Sequence, residues 1–374
     1  MSRSGTWSFV CSPKGVKRTV FALAILCVGL IWVWPGPFAA APPTASPAER
    51  HGRDSALAGA HVFRRTQGTE AGPARIDFTK DPNDGLVNPQ LTICTFVPTE
   101  ISGTTPKFDC RLKSGEKIKV KYSWTREIPT EVAATRLLLA LGFGADLMSR
   151  VATLRCFGCV VSPFHVRAVA QMLHLGDAFD RHLPYHHAID FVNVAVERKL
   201  KGDSVEAGAI KGWDFYELSK IDPSRGGASR ADVDALRLMA VFLNHWDNKG
   251  PNQRLLCEGD QKAPCDHPLV MMQDTGSDFG PVKLNLENWR KRRIWSDGAT
   301  CLVSMKGLPY DGATFTDAEI SEAGRRVLAD KLTALSHDQI RSLFASAGFD
   351  DVDGWTSAFE DKVRQIASRP PCKA

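Results

Sequence analysis

Hydrophobic and polar residues alternate along the first part of the chain from about residue 90 onward. This alternation predicts strands near residues 91–97, 107–112 and 117–122, and a further strand near 191–200. Between the third and fourth of these segments, apolar residues recur at helical spacing from about residue 129 to Gly142. The first half is therefore predicted to be strand-rich with one early helix.

Helical spacing of apolar residues dominates the second half. Ser229 precedes Asp232, and Ser336 precedes Gln339, at the separation of a capping box, so a helix is predicted to begin at each serine. A last helix is predicted over about 355–366. A strand-rich part followed by a helical part predicts an α+β fold of two lobes, an N-lobe over about 89–200 and a C-lobe over about 201–374.

Residues 1–41 have the pattern of a targeting segment. A basic stretch without acids precedes an apolar run over 20–34, which small residues follow at 39–41. As a helix the run would span roughly 22 Å, short of a hydrocarbon core of about 30 Å. We predict a secretory signal peptide, with an uncleaved signal anchor as the alternative. Both place the rest of the chain outside the cytoplasm, in the periplasm or the extracellular space, and make this segment the only membrane tether.

The next residues, 42–88, lack hydrophobic periodicity and are rich in Ala, Pro, Gly, Arg and Asp. We predict a linker of low order there. The domain that carries the chemistry is predicted to occupy residues 89–374.

Composition and charge support a globular protein. Of the 374 residues, 43% are hydrophobic and 24% are charged, as in ordinary soluble domains. The formal net charge is +5. Residues 1–41 contribute four of these charges, so the remainder carries only +1. Charge therefore gives no reason to expect a nucleic-acid partner, and none is predicted.

Eight of the ten cysteines follow the targeting segment, and outside the cytoplasm disulfides are their expected state. We expect bridges from Cys257 to Cys265 and from Cys94 to Cys110, although connectivity cannot be derived from sequence. The alternative is a zinc site that combines the C-x-x-C pair at 156–159 with Cys257, Cys265 and His267, as in a zinc enzyme.

Candidate chemistry centres on residues 245–252, which follow a predicted helix directly. They match the kinase catalytic loop H-R-D-x-K-x-x-N at His, Asp, Lys and Asn. Phosphoryl transfer needs an oriented acceptor, a cation near the transferred group and oxygen ligands for a metal ion. Asp247 would accept the proton of the acceptor hydroxyl, Lys249 would neutralise phosphoryl charge, and Asn252 would hold a divalent ion.

Two further segments complete this set. A buried strand over 268–273 ends at Asp274, which we predict to be the second metal ligand; Asp278, in the literal D-F-G triplet, is the alternative. Upstream, Lys121 ends a strand and Glu131 stands in the first turn of the next helix. That order provides a lysine for the nucleotide phosphates and a glutamate to hold it. Lys119 lies on the same strand face and is the reserve candidate.

The order of lysine, helix glutamate, H-x-D-x-K-x-x-N and strand-Asp-x-Gly resembles the protein-kinase-like superfamily. Residues 273–280 are similar to the metal-binding D-N-G-R-G-F-G stretch of the secretory-pathway Golgi casein kinases. Those atypical kinases are exported, disulfide-bonded and related to the bacterial HipA-type kinases. The resemblance covers roughly residues 90–370 in layout. It implies a two-lobed kinase fold that uses ATP with Mg²⁺ or Mn²⁺ to phosphorylate a hydroxyl of an exported protein or glycan.

One departure from the family supports a different function. The chain has no G-x-G-x-x-G loop to cover the phosphates. The alternative prediction is therefore a secreted pseudokinase that acts as a nucleotide-binding or adaptor module without catalysis.

Overall fold

The alternating segments of the first half and one further strand form a closed five-stranded barrel in the computed structural model, which describes residues 45–64, 72–83, 85–100, 103–123, 126–298, 300–308 and 312–372. The strands are β1 Leu91–Val97, β2 Lys107–Leu112, β3 Lys117–Lys121, β4 Leu147–Phe157 and β5 Ala188–Arg198. Their order is β1-β2-β3-β5-β4, and a parallel pairing of β1 with β4 closes the barrel.

Strand alternation sorts side chains between the barrel interior and its outer face. Val120 and Val196 are fully buried inside, whereas Lys119 and Lys121 point outward because successive side chains of a strand point to opposite faces. Helix α1 Pro47–Ala58 precedes the barrel, and helix α2 Glu127–Ala140 follows β3 and packs on β4 and β5. Lys121 thus meets Glu131 of this helix, whereas Lys119 pairs with Glu197 of β5.

Strand β4 was not among the predicted strands. Its burial does not alternate, because Ser149 is completely buried and binds Asn83 and Asp81 through its hydroxyl group. Two short helices, α3 Pro163–Met172 and α4 Gly176–Arg181, connect β4 to β5 and were also not predicted.

Disulfides pair the eight remaining cysteines. The predicted bridges Cys94–Cys110 and Cys257–Cys265 are confirmed, and the others are Cys156–Cys159 and Cys301–Cys372. The C-x-x-C pair lies in the barrel interior, where Cys156 Sγ is 3.8 Å from Cys110 Sγ. It therefore does not join Cys257 and Cys265, and the zinc site predicted as an alternative is wrong. Several disulfides are compatible with an exported protein.

In its described residues, the second half is helical and contains one sheet of three strands and one of two. Its elements are the strands β6 Gly202–Ser204, β7 Gln253–Glu258, β8 Leu269–Met272, β9 Leu302–Val303 and β10 Ala318–Glu319, and the helices α5 Arg230–Leu243, α6 Leu286–Lys291, α7 Glu322–Thr333, α8 His337–Ala347 and α9 Val352–Ala367. Helix α5 begins at the predicted capping box of Ser229 with Asp232 and lies at the centre of the core. The fold is thus a mixed α+β structure with a strand-rich part and a helical part.

The prediction of a low-order linker over residues 42–88 is wrong for its first segment. Residues 47–58 form α1, which begins at a capping box of Ser46 with Glu49. Leu57 is fully buried in the main core, and buried Arg53 binds Glu217. Small residues and one buried ion pair hold this helix against the core. Its sequence therefore has no long apolar stripe from which the helix could be predicted.

The predicted targeting segment, residues 1–41, lies outside the described residues. Among the helices of the described ranges, none is both long and apolar enough to cross a bilayer.

Candidate active site

The loop that follows α5 is held by a buried histidine. Asn244 ends the helix in the left-handed conformation, with φ of 59°, and turns the chain toward His245. The His245 Nδ1 atom lies 2.9 Å from Asp278 Oδ1, and its Nε2 atom lies 2.8 Å from Gln253 Nε2. Because both ring nitrogens are engaged within the protein, His245 positions the loop.

The predicted catalytic residues of this loop lie close together. Lys249 Nζ is 3.1 Å from Asp247 Oδ1, and both side chains are partly exposed. Asn252 Nδ2 donates a hydrogen bond to the main-chain oxygen of Asp247 over 2.8 Å. This bond uses the donor end of the amide, so the Asn252 Oδ1 atom is the end suited to a cation.

Pairing of β7 with β8 joins this loop to Asp274. Gln253 is opposite Met272 in the ladder, and the main-chain N–H of Gln273 donates to the main-chain oxygen of Asn252 over 3.0 Å. Asp274 follows at once with φ of 50°, a left-handed conformation that Asp tolerates better than most residues. Its side chain is 51% exposed.

Lys121 connects the barrel to both carboxylates of the site. Its Nζ atom lies 2.5 Å from Glu131 Oε1 on α2 and 3.4 Å from Asp274 Oδ1. Burial disfavours the charged lysine, but the charges of Glu131 and Asp274 outweigh burial and raise the pKa of Lys121. The charge of Lys121 in turn lowers the pKa of Asp274. Burial raises the pKa of Glu131 above its usual range, although Lys121 opposes this effect.

These side chains line a cleft with a volume of about 130 Å³. Lys119, the reserve candidate, also faces the cleft but is paired with Glu197 at 2.8 Å. The charged residues that line it are Lys107, Lys119, Lys121, Lys199, Glu131, Asp146, Glu197 and Asp274. Sequence reasoning missed Lys107, Lys199, Asp146 and Glu197. For Lys107 a signal existed, because it begins an alternating strand in the same pattern as Lys119 and Lys121.

Asp278, the alternative metal ligand, does not line this cleft. Its side chain is 1% exposed and is bound to His245. Burial raises the pKa of Asp278 to about 6, although His245 opposes the rise. The structure therefore places Asp274 in the cleft and Asp278 in the support of the loop.

The donor atoms of the site fit a hard divalent cation. Asp274 offers a carboxylate kept ionised by Lys121, and Asn252 offers an amide oxygen; oxygen ligands of this kind suit Mg²⁺ and Mn²⁺. The buried Glu131 Oε2 atom has no hydrogen-bond partner within the described residues. An unpaired buried polar atom beside the cleft is consistent with a polar ligand there.

No protein-family model matches the sequence, and no curated protein matches it. Among solved structures, the chain is similar to the Helicobacter pylori proinflammatory kinase CtkA, with 12% identity and a TM-score of 0.43, over 74% of this chain and 96% of that one. It is also similar to the Golgi casein kinase, with 9% identity and a TM-score of 0.36, over 90% and 92%. Both neighbours are atypical kinases, as the sequence resemblance predicts. At TM-scores below 0.5, neither likeness by itself says what this chain does.

Proposed function

We propose that the protein is an exported, atypical ATP-dependent kinase with a two-lobed, protein-kinase-like fold. The observation that carries this proposal is the position of Lys121, whose ammonium lies between Glu131 of α2 and Asp274 at the end of β8. This buried lysine brings Asp274 of the helical half together with Glu131 of the strand-rich half. Phosphoryl transfer needs a phosphate-binding lysine beside a metal-binding aspartate.

The other residues have roles that follow from their positions. Asp247 accepts the proton of the acceptor hydroxyl and orients the oxygen for attack. Lys249, 3.1 Å from Asp247, neutralises negative charge on the transferred group. Asn252 and Asp274 are the residues that would hold Mg²⁺ or Mn²⁺, and Lys121 would bind the phosphates of ATP. When bound, the cation neutralises charge on the phosphates of the nucleotide.

The acceptor is proposed to be a hydroxyl on an exported protein or glycan, with no nucleic acid involved. Disulfides and the predicted signal over residues 1–41 support a location outside the cytoplasm, with the N-terminal segment as the only tether if it is not cleaved.

The test is metal-dependent phosphotransfer by the purified protein to exported fractions, measured with labelled ATP. Asp247→Asn and Asp274→Asn should each reduce kcat by at least about a hundredfold, because one removes the proton acceptor and the other a metal ligand. Asp260→Asn, at an exposed position between β7 and β8, is the matched control and should retain activity. Full activity in both Asp247→Asn and Asp274→Asn would contradict the assignment.

The size of the cleft favours the second candidate, a secreted pseudokinase that acts as an adaptor module. Its volume of about 130 Å³ is small beside the roughly 300–1,000 Å³ of typical ligand pockets. Calorimetric titration of the wild-type protein with ATP and Mg²⁺ distinguishes the candidates. Binding without phosphotransfer would support a nucleotide-binding pseudokinase, and absence of binding would support an adaptor.

A further inference from the structure

The outer face of β2 and β3 carries lysines in direct register. Lys107 is opposite Lys121 in this antiparallel pair, so both side chains leave the sheet on the same face. Side chains opposite each other are about 5 Å apart at their Cβ atoms, and two like charges in this arrangement destabilise a sheet. The Lys107–Lys121 pair therefore lowers the stability of the folded protein.

Carboxylates form ion pairs with the neighbouring lysines, whereas the described residues offer Lys107 no ion pair. Lys117 pairs with Asp109 at 2.9 Å, and Lys119 and Lys121 have the glutamate partners described above. Within the residues that the structure describes, Lys107 forms no ion pair, although its side chain is partly buried. Burial and the charge of Lys121 lower the pKa of Lys107. Among the described residues its ammonium group thus has no direct carboxylate partner, although the charges of Asp274 and Glu197 act on it from beyond ion-pair distance.

The connection between β1 and β2 passes close to this ammonium group. Gly103 has φ of 73°, and a Cβ atom placed on it would lie 3.1 Å from Lys107 Nζ. Lys107 also lines the same cleft as Lys121 and Asp274. A lysine without a direct carboxylate partner among the described residues, a nearby main-chain turn and a second lysine opposite together form a site for an extended anion.

We propose that Lys107, together with Lys121, binds the polyphosphate chain of the phosphoryl donor. The Lys107 ammonium group takes the place of the backbone amides that a glycine-rich loop would provide, and the sequence contains no G-x-G-x-x-G loop. This inference rests on the proposed function for the identity of the donor as a nucleoside triphosphate. A polyphosphate offers several oxygens on adjacent phosphates. Two lysines on opposite positions of paired strands, with Cβ atoms about 5 Å apart, can each bind a different phosphate.

The experiment compares wild type, Lys107→Met and Lys107→Arg by thermal unfolding and by calorimetric titration with tripolyphosphate, ATP with Mg²⁺, and adenosine. Without ligand, Lys107→Met should unfold at a higher temperature than wild type, because the like-charge pair is gone. Its dissociation constants for tripolyphosphate and ATP should rise about tenfold or more, as expected for a lost charge-assisted contact. Lys107→Arg should retain most of the affinity. Lys113→Met, in the exposed turn between β2 and β3, is the control for a general loss of positive charge.

The outcomes separate this inference from the proposed function. Phosphotransfer by wild type with unchanged ATP affinity in Lys107→Met would overturn the inference and leave the kinase assignment in place. Tripolyphosphate binding that depends on Lys107, in a protein without phosphotransfer, would support the inference while the kinase assignment fails. Equal loss of affinity in Lys107→Met and Lys113→Met would also overturn it, because the effect would then be nonspecific.

Discussion

Replacement of Arg53 by Met should lower the free energy of unfolding at pH 7 by about 3 kcal/mol, because Arg53 attaches helix α1 to the rest of the fold. Its Nη2 atom lies 2.7 Å from Glu217 Oε2, its Nη1 atom lies 3.0 Å from Glu217 Oε1, and Nη2 also donates to the main-chain oxygen of Gly212 over 2.8 Å. The side chains of Arg53 and Glu217 are only 3% and 9% exposed.

The magnitude follows from the titration of Glu217. Burial alone would raise its pKa, but hydrogen bonds from Arg53 and from the main-chain N–H of Asp214 lower the pKa from the ordinary 4.5 to about 2. That difference corresponds to about 3 kcal/mol of stability at neutral pH. Since the folded pKa is depressed, this contribution is complete above about pH 4.5 and is lost as the pH falls toward 2. Lys220, which pairs with Glu217, supplies part of this stabilisation. Removal of Arg53, however, also leaves the buried Glu217 carboxylate without its main partner, which is destabilising in itself.

Urea unfolding at pH 7 and at pH 2.5 measures the effect. At pH 2.5 the difference between wild type and Arg53→Met should be much smaller than at pH 7. Arg50→Met, an exposed position on the same helix, is the matched control and should change stability by less than about 0.5 kcal/mol. A loss of less than 1 kcal/mol in Arg53→Met at pH 7, or an equal loss at both pH values, would refute the reasoning.

Two further predictions concern the loop support and the C-terminus. Burial raises the pKa of Asp278 to about 6, so the folded protein binds a proton more tightly than the unfolded chain, and stability should fall as the pH rises from about 4 to 6. Asp278→Asn should remove this slope in urea unfolding; an unchanged slope would argue against Asp278 as its source. The Cys301–Cys372 bridge joins residues separated by 71 positions, so its replacement by two serines should cost about 4 kcal/mol of stability in the same assay, by the chain-entropy estimate. A loss below 1 kcal/mol would contradict that estimate.

The regular parts of the fold were predictable because local pattern and tertiary environment agree there. Strands β1 to β3 alternate because one face lines the barrel interior, and the helix that begins after Ser229 shows its cap and its apolar residues directly. Strand β4 and helix α1 were missed for the opposite reason. Ser149 in β4 and Arg53 in α1 are polar residues that are buried against distant partners, and a local pattern does not include those partners.

Sequence alone determined which residue types could perform the chemistry, because the spacing of Asp247, Lys249 and Asn252 within one loop is a local property. The choice between Asp274 and Asp278 needed the tertiary structure, since both lie near the end of β8 and only the contact with His245 withdraws Asp278 from the cleft. The proposed role of Lys107 also depended on strand register, which pairs residues across two strands and is set by side-chain packing over the whole barrel. Charge balance around a site is a sum over groups that only folding brings together, and for this reason a lysine without a direct carboxylate partner among the described residues became visible only in three dimensions.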